Sequence, residues 1–142
     1  MPFTSPHPPL KFVTIGGGTG LATLLRGLKP RLAGSEGKPP ESEPDAQVSL
    51  TAIVTVTDDG RSSGRLRGEF GILPPGDVRN CLAALADDGG LLTKLFRHRF
   101  PGDGALGGHS LGNLILTALT QMRGDFLAAV DAARALLGIE AR

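Results

Sequence analysis

The chain contains few of the residues that mark disulfide-bonded or base-stacking proteins. Its 142 residues include one cysteine, six phenylalanines, and neither tryptophan nor tyrosine. The single Cys81 cannot form an internal disulfide, which favours a reducing compartment. We interpret Cys81 as a small buried apolar residue on a helix, in preference to a nucleophile. The scarcity of aromatic rings argues against a protein that stacks single-stranded nucleic acid.

The sequence also lacks a large net charge of either sign and a long apolar run. Fifteen Lys and Arg residues stand against 14 Asp and Glu residues, a formal net charge of +1, so no global field attracts nucleic acid or a membrane surface. No apolar run approaches the roughly 20 residues that span a bilayer. The start of the chain is rich in proline and lacks the apolar segment of a signal peptide. We therefore expect a cytoplasmic protein with no nucleic-acid partner and no membrane insertion.

Glycine, by contrast, is abundant, with 21 residues gathered mostly in clusters between apolar-periodic segments. In the first cluster an apolar strand runs into glycines and then into an apolar-periodic helix. Its candidate ligand-binding residues are Gly16, Gly17, Gly18, Thr19 and Gly20. Glycine lets the backbone approach a ligand closely, and the free N–H groups of the helix favour a phosphate. Leu21 stands where the third glycine of a strict dinucleotide fingerprint would fall, so a tight connection that binds nothing is the alternative.

The chain length fits one domain. Residues 1–10 are predicted to be a flexible leader because prolines block regular structure there. Residues 11–142 are predicted to form a Rossmann-like nucleotide-binding domain. Within it, residues 33–47 are polar and rich in Pro, Gly and Glu, which predicts a mobile surface insertion.

Strands are predicted at Lys11–Ile15 and Val48–Val56, with a helix opening at Thr19 or Gly20 between them. Strand, helix and parallel strand form one right-handed βαβ unit. A loop is predicted over 57–76. Further helices are predicted over 78–86, 91–100, 111–122 and 126–137.

The expected fold class is α/β, a Rossmann-like parallel sheet with helices on both faces. Two strands cannot complete a doubly wound sheet. We therefore expect a further segment or a partner to complete it, and a homo-oligomer is one such arrangement.

The second strand leads into Asp58 and Asp59. In dinucleotide folds an acid at this point of the second strand hydrogen-bonds the ribose. Adjacent carboxylates also suit Mg²⁺ beside phosphate oxygens, which makes Asp58 and Asp59 candidate metal ligands. Asp-Asp-Gly is good turn chemistry as well, so a plain turn is the alternative.

Two further polar clusters follow the second strand. Ser62, Ser63 and Arg65 offer hydroxyls and a guanidinium to phosphate oxygens, at the edge where open α/β sheets bind ligands. A solvated basic loop is the alternative. A rigid Pro-Pro-Gly turn then opens a helix, on which Asp77 is most simply the N-cap and is also a candidate ligand-binding residue. Asn80, one turn further, is predicted to face a ligand.

A second glycine-rich helix entry contains His109, Ser110 and Asn113. His109 can act as an acid or base, or donate to a phosphate. Ser110 is more simply a helix cap than a nucleophile, since no general base lies near it in the sequence to support a Ser-His-Asp triad. No Cys/His spacing predicts a zinc site.

Together these segments resemble the YvcK/CofD-like family, and within it the gluconeogenesis factor branch. The resemblance rests on four motifs in the same order, over residues 16–21, 58–67, 71–80 and 108–113. It extends from about Lys11 to Ile139.

The resemblance implies a cytoplasmic, regulatory protein that binds a nucleotide sugar such as UDP-N-acetylglucosamine, or a dinucleotide such as NAD. It also implies links to gluconeogenic growth, cell shape and the supply of cell-wall precursors. A distant relative, 2-phospho-L-lactate transferase, is Mg²⁺-dependent, so a phospho-group transferase is the alternative function. Arg61 replaces a glycine that family members often carry. Members are also longer than this chain, which is therefore expected to be an N-terminal portion.

Overall fold

The computed structural model describes residues 10–32 and 48–139. Two parallel strands, β1 (Leu10–Gly16) and β2 (Val48–Val54), form its sheet and pair from Leu10 opposite Val48 to Gly16 opposite Val54. The predicted leader overlaps this sheet by one residue, since Leu10 begins β1. The rest of the leader and the predicted insertion over 33–47 lie outside the described residues.

The first helix, α1 (Gly18–Leu28), connects the two strands and confirms the predicted βαβ order. Its apolar residues recur at helical spacing, and Leu21, Ala22 and Leu25 form the buried stripe. A short 3₁₀ turn at Lys29–Arg31 follows, because proline at position 30 cannot donate to a continuing helix.

The predicted loop over 57–76 is wrong in its middle, where the chain forms α2 (Arg61–Phe70). This helix has a polar sequence with two glycines, so it lacks the apolar periodicity that would predict a helix. Its stability comes from tertiary contacts instead, with Leu66 buried at 2% exposure. Gly71 ends it in the left-handed region, at φ +64°.

Four more helices complete the described chain, and all four are predicted from the sequence to within a few residues. They are α3 (Gly76–Leu85), α4 (Leu91–Arg97), α5 (Leu111–Arg123) and α6 (Phe126–Leu136). None of the helices within the described ranges combines the length and apolar character that crossing a bilayer requires.

The core has two parts that meet at Val54 and Leu85. One part packs α1 and α3 against β2, and Cys81 is buried there at 4% exposure, as the sequence predicts. The other joins α3 to the helices that follow it. Its buried members are Val78, Leu82, Ala86, Phe96, Leu116, Ala133, Leu137 and Ile139.

The two faces of the sheet differ in burial. The face that carries Leu50 packs against α1 and α3. The opposite face carries Val13, Ile15 and Ile53, which are 63%, 73% and 51% exposed. Among residues 10–32 and 48–139, helices therefore cover one face of the sheet, whereas the sequence predicts helices on both.

Candidate functional site

The glycine loop lies at the carboxyl end of β1 and leads directly into α1. Gly17 is the N-cap of α1, and no side chain caps this end of the helix. Gly18 has a φ of +62°, a backbone conformation that side-chain-bearing residues rarely adopt. Within residues 10–32 and 48–139, no side chain caps the first N–H groups of α1.

The loop packs against β2 and α3 on its inner side. A Cβ placed on Gly17 would come within 2.0 Å of Thr55 Oγ1 and 2.6 Å of Asp77 Oδ2, so a larger residue would force these side chains aside. A Cβ on Gly18 or Gly20 would meet no atom within 4 Å. The outer side of the loop is therefore the side from which a ligand can approach.

Asp58 is held at the start of α2, next to the start of α3. Its carboxylate accepts hydrogen bonds from Gly60 N at 2.8 Å and from Ser63 Oγ at 2.7 Å. A Cβ on Gly76 would come within 1.9 Å of Asp58 Oδ2, so glycine at position 76 lets this carboxylate approach the α3 backbone. Ser63 thus orients Asp58, an arrangement that the sequence did not reveal.

Asp59 points to a different partner. Its side chain is 68% exposed and forms an ion pair of 2.8 Å with Arg67. The two neighbouring carboxylates therefore do not converge on one cation. The described part of the chain also contains no group of three or more His, Cys, Asp or Glu residues that could hold a metal ion. The Mg²⁺ site at Asp58 and Asp59 therefore stays a prediction, in which substrate phosphates would have to supply further ligands.

Asp77 and Asn80 both lie near the start of α3, as the sequence predicts, but Asp77 is not its N-cap. Pro75 is the N-cap of this helix, so the prediction of Asp77 as N-cap is wrong; Asp77 lies in the first turn and is 8% exposed. Asn80 is predicted to face a ligand. Its Oδ1 accepts a 2.7 Å hydrogen bond from Arg79 Nη2, so this oxygen already has a partner within the protein.

Ser62, His109 and Asn113 form a buried hydrogen-bonded cluster between α2 and the start of α5. Asn113 Nδ2 donates to Ser62 Oγ at 2.9 Å, and Ser62 Oγ lies 2.9 Å from His109 Nδ1. Burial, followed by the charge of Arg65, lowers the pKa of His109. A neutral imidazole can then accept the Ser62 proton at Nδ1. The structure thus supplies His109 with a serine partner other than Ser110.

Ser110 and Arg65 both have structural partners. Ser110 Oγ accepts from Asn113 N at 3.1 Å and caps α5, which matches the simpler of its two predicted roles. Arg65 donates to the carbonyl oxygens of Gly107 at 3.0 Å and Ala105 at 2.9 Å. These bonds connect α2 to the loop before α5 and occupy two of the guanidinium nitrogens.

Arg79 is a site residue that sequence reasoning did not single out. Its side chain lies between α3 and α5, where a Cβ on Gly112 would come within 2.8 Å of Arg79 Cδ. Leu82, Ala83 and Ala86 follow it at helical spacing. An arginine that begins such an apolar stripe is the signal that could have identified it.

A protein-family model described as 2-phospho-L-lactate transferase CofD matches residues 12–142. The gluconeogenesis factor of Bacillus subtilis is 52% identical over 132 residues, which are 93% of this chain and 37% of that protein. The gluconeogenesis factor of Halalkalibacterium halodurans is 48% identical over 130 residues, which are 92% of this chain and 36% of that protein.

A crystal structure of a Bacillus halodurans protein is similar to the structure of this chain. It matches with a TM-score of 0.76 and 48% sequence identity, over 94% of this chain and 38% of that one. The chain spans between 25% and 38% of the length of the curated relatives that it matches.

Proposed function

This chain belongs to the CofD family, and we propose that it binds the diphosphate of a nucleotide sugar or a dinucleotide at the loop between β1 and α1. The observation that carries the proposal is the start of α1, which no side chain caps and where Gly18 has a φ of +62°. It lies beside the start of α3, since Asp77 lies against Gly17. Unpaired N–H groups and the positive end of a helix dipole bind phosphate oxygens.

The carboxylates near this loop suit the uncharged part of such a ligand. Asp77 is buried beside Gly17, and Asp58 is held against Gly76. Carboxylate oxygens accept hydrogen bonds from hydroxyls, and an acid beside the glycine loop contacts a ribose in dinucleotide folds. We assign Asp77 and Asp58 to ribose or sugar hydroxyls, and the diphosphate to the backbone of Gly17, Gly18 and Thr19.

The regulatory role is the wider part of the proposal. The name gluconeogenesis factor, carried by relatives 52% and 48% identical to this chain, supports a role in carbon metabolism. The family resemblance supports further roles in cell shape and in the supply of cell-wall precursors, exercised in the cytoplasm. In this proposal, occupancy of the loop by the nucleotide is the signal that the protein reports.

Calorimetric titration with UDP-N-acetylglucosamine, with NAD as competitor, tests the proposal. Saturable heat with the sugar nucleotide, absent with uridine, is the expected result because the diphosphate makes the main contacts. Titrations with and without Mg²⁺ should agree, since the aspartates do not converge on a cation. Absence of heat with either nucleotide, in this chain and in a full-length relative, would refute it.

A charge placed on the glycine loop gives a sharper test than a bulky residue. Gly18→Val would strain the backbone at φ +62°, which confuses lost binding with lost folding. Thr19→Glu instead adds a carboxylate to the first turn of α1, where acids stabilise a helix. We expect affinity to fall at least tenfold, about 1.4 kcal/mol, with unchanged stability. Thr23→Glu, one turn further along α1 at another exposed threonine, is the matched control.

Transfer of a phospho group is the second candidate function, favoured by the description of the matching family as a transferase. It predicts a new product when a nucleotide donor is incubated with the protein and Mg²⁺. Loss of that product in Asp58→Asn but not in Asp59→Asn would favour it, because Asp58 lies at the start of α3 whereas Asp59 pairs with Arg67. Binding without product under the same conditions would favour the regulatory function.

A further inference from the structure

Arg79 is a buried cation that has no anionic partner in the part of the chain that the structure describes. The residue is 8% exposed, and its Nε is buried with no hydrogen-bond acceptor. One nitrogen, Nη2, donates to the neutral amide oxygen of Asn80. No carboxylate among the described residues lies within ion-pair distance of Arg79. A buried guanidinium in this state is unfavourable for the folded protein, so its presence calls for an explanation.

The fold holds this side chain in place by close packing. Cβ atoms at Gly112 would come within 2.8 Å of Arg79 Cδ, 2.9 Å of Arg79 Cγ and 2.5 Å of the carbonyl oxygen of Phe96. Glycine at position 112 therefore makes room for the stem of Arg79 against the first turn of α5. Since the stem is fixed, the guanidinium is pre-positioned for a partner that approaches between α3 and α5.

The surroundings favour an anion. Burial and the like charge of Arg99 lower the pKa of Arg79, while the charge of Asp58 raises it. His109, which lies before α5, carries no charge at neutral pH because its pKa is lowered. Arg79 and Arg99 thus place two positive charges at this junction, which Asp58 offsets in part and an incoming anion would offset further.

An orphaned acceptor lies in the same helical turn. Asn113 is 2% exposed and follows Gly112, yet its Oδ1 has no hydrogen-bond donor. Its Nδ2 is already committed to Ser62. A partner for this junction would therefore carry acceptor oxygens for Arg79 and a hydroxyl for Asn113. A phosphoryl group attached to a sugar has both.

We propose that Arg79, backed by Gly112 and Asn113, forms a second anion site that takes a phosphoryl group between α3 and α5, apart from the glycine loop. The identity of the ligand as a nucleotide rests on the proposed function. The site itself rests on a guanidinium whose Nε has no acceptor and on the amide oxygen of Asn113, which has no donor, among the described residues. The fork of Arg79 binds phosphoryl oxygens, and Asn113 Oδ1 accepts from a neighbouring hydroxyl.

Thermal unfolding with inorganic pyrophosphate tests this site without a nucleotide. Pyrophosphate should raise the Tm of the wild-type protein, because a ligand that binds the native state stabilises it. Arg79→Met keeps the apolar stem against Gly112 and removes the charge. Its Tm without pyrophosphate should equal or exceed that of the wild type, since a buried charge without an anionic partner has gone. In the Thr19→Glu background, which weakens binding at the glycine loop, its response to pyrophosphate should be lost.

Arg97→Met is the matched control. Arg97 has a structural role, since it forms a 2.7 Å ion pair with Asp88 and also donates to the carbonyl oxygen of Ala83. Its substitution should lower the Tm and leave the pyrophosphate shift unchanged. Arg79→Lys, which keeps a charge but loses the planar fork, should retain a shift with pyrophosphate affinity about tenfold weaker.

Three results would overturn the proposal. They are a wild-type Tm that does not respond to pyrophosphate, an Arg79→Met protein that responds like its parent in the Thr19→Glu background, and an Arg79→Met protein that unfolds well below the wild type. A lower Tm of Arg79→Met would show that the Arg79 guanidinium stabilises the folded protein. The proposed nucleotide function has a separate readout, because UDP-N-acetylglucosamine binding that persists in Arg79→Met would leave that function standing whatever the response to pyrophosphate.

Discussion

At the scale of single residues, the site is distinguished by polar side chains that the fold has removed from water. Ser62, His109 and Asn113 are 4%, 4% and 2% exposed, and each is hydrogen-bonded to at least one of the others. Burying polar groups is tolerated only when they are paired, so this cluster connects α2 to α5. Cys81 is also buried. Burial, and then the negative charge of Asp77, raise the pKa of its thiol to about 11, which keeps the thiol protonated.

His109 should make the free energy of unfolding depend on pH. Burial, Arg65 and Arg99 lower its pKa in the folded state below the ordinary value of 6.5. Below that pH the unfolded chain therefore binds the proton more tightly than the folded protein does, and stability must fall as the pH falls. The slope for this one group cannot exceed about 1.4 kcal/mol per pH unit.

Urea unfolding between pH 7.5 and 5.5 measures this dependence. His109→Asn, which keeps a hydrogen-bonding group near Ser62 but does not titrate, should flatten the slope relative to the wild type. His98→Asn, at an exposed histidine, is the control. Equal slopes in the two variants would contradict the assignment to His109.

At the scale of helices, the starts of the helices differ in how they are capped. Ser110 caps α5 and Asp125 caps α6, each through a side-chain oxygen. The starts of α1, α2, α3 and α4, at Gly17, Gly60, Pro75 and Gly90, have no such cap. A side-chain cap contributes about 1 kcal/mol to stability. A missing cap therefore does not by itself mark a phosphate site, and our assignment of phosphates to α1 rests also on its glycine loop.

Removing the cap of α6 should cost stability without affecting binding. Asp125 accepts from Ala128 N at 2.9 Å, and Asp125→Ala leaves that N–H unpaired. We expect a loss of about 1 kcal/mol in the free energy of unfolding, measured by denaturant titration. Asp131→Ala, in the same helix at an exposed position with a 3.7 Å ion pair to Arg134, should cost less than about 0.5 kcal/mol. Equal losses would mean that the cap contributes nothing special.

At the scale of the whole molecule, the two-stranded sheet presents an apolar surface. Val13, Ile15 and Ile53 share its exposed face, and Ile15 lies directly opposite Ile53 in the sheet. Exposed apolar faces of this kind are typical of surfaces that another polypeptide covers. The relatives, of which this chain spans between 25% and 38%, contain further sequence that is available for that purpose.

The 142-residue chain by itself should therefore self-associate through this face. Sedimentation velocity should show an apparent mass that rises with concentration, because association removes apolar surface from water. Ile15→Lys should reduce the effect by placing a charge at the centre of the face. Leu91→Lys is a close control, since Leu91 is 74% exposed and Ile15 is 73% exposed, but Leu91 lies on α4. A wild-type chain that stays monomeric at all concentrations would contradict the prediction.

Sequence by itself determined those features that depend on residues close together in the chain. The α/β class, the parallel βαβ unit, α1 and the helices after residue 76 follow from apolar periodicity, which a single segment carries. The caps at Ser110 and Asp125 are equally local, since each bonds a backbone N–H three residues along.

Tertiary structure alone decided the pairings within the site. Polar α2 forms because Leu66 is buried by distant segments. Asp59 forms an ion pair with Arg67 and does not share a partner with Asp58. Ser62 meets His109 across 47 positions of sequence. Such contacts depend on how whole elements pack against one another, and one sequence contains no local signal for them. The same packing buried Arg79 with no carboxylate from the described segments in ion-pair contact.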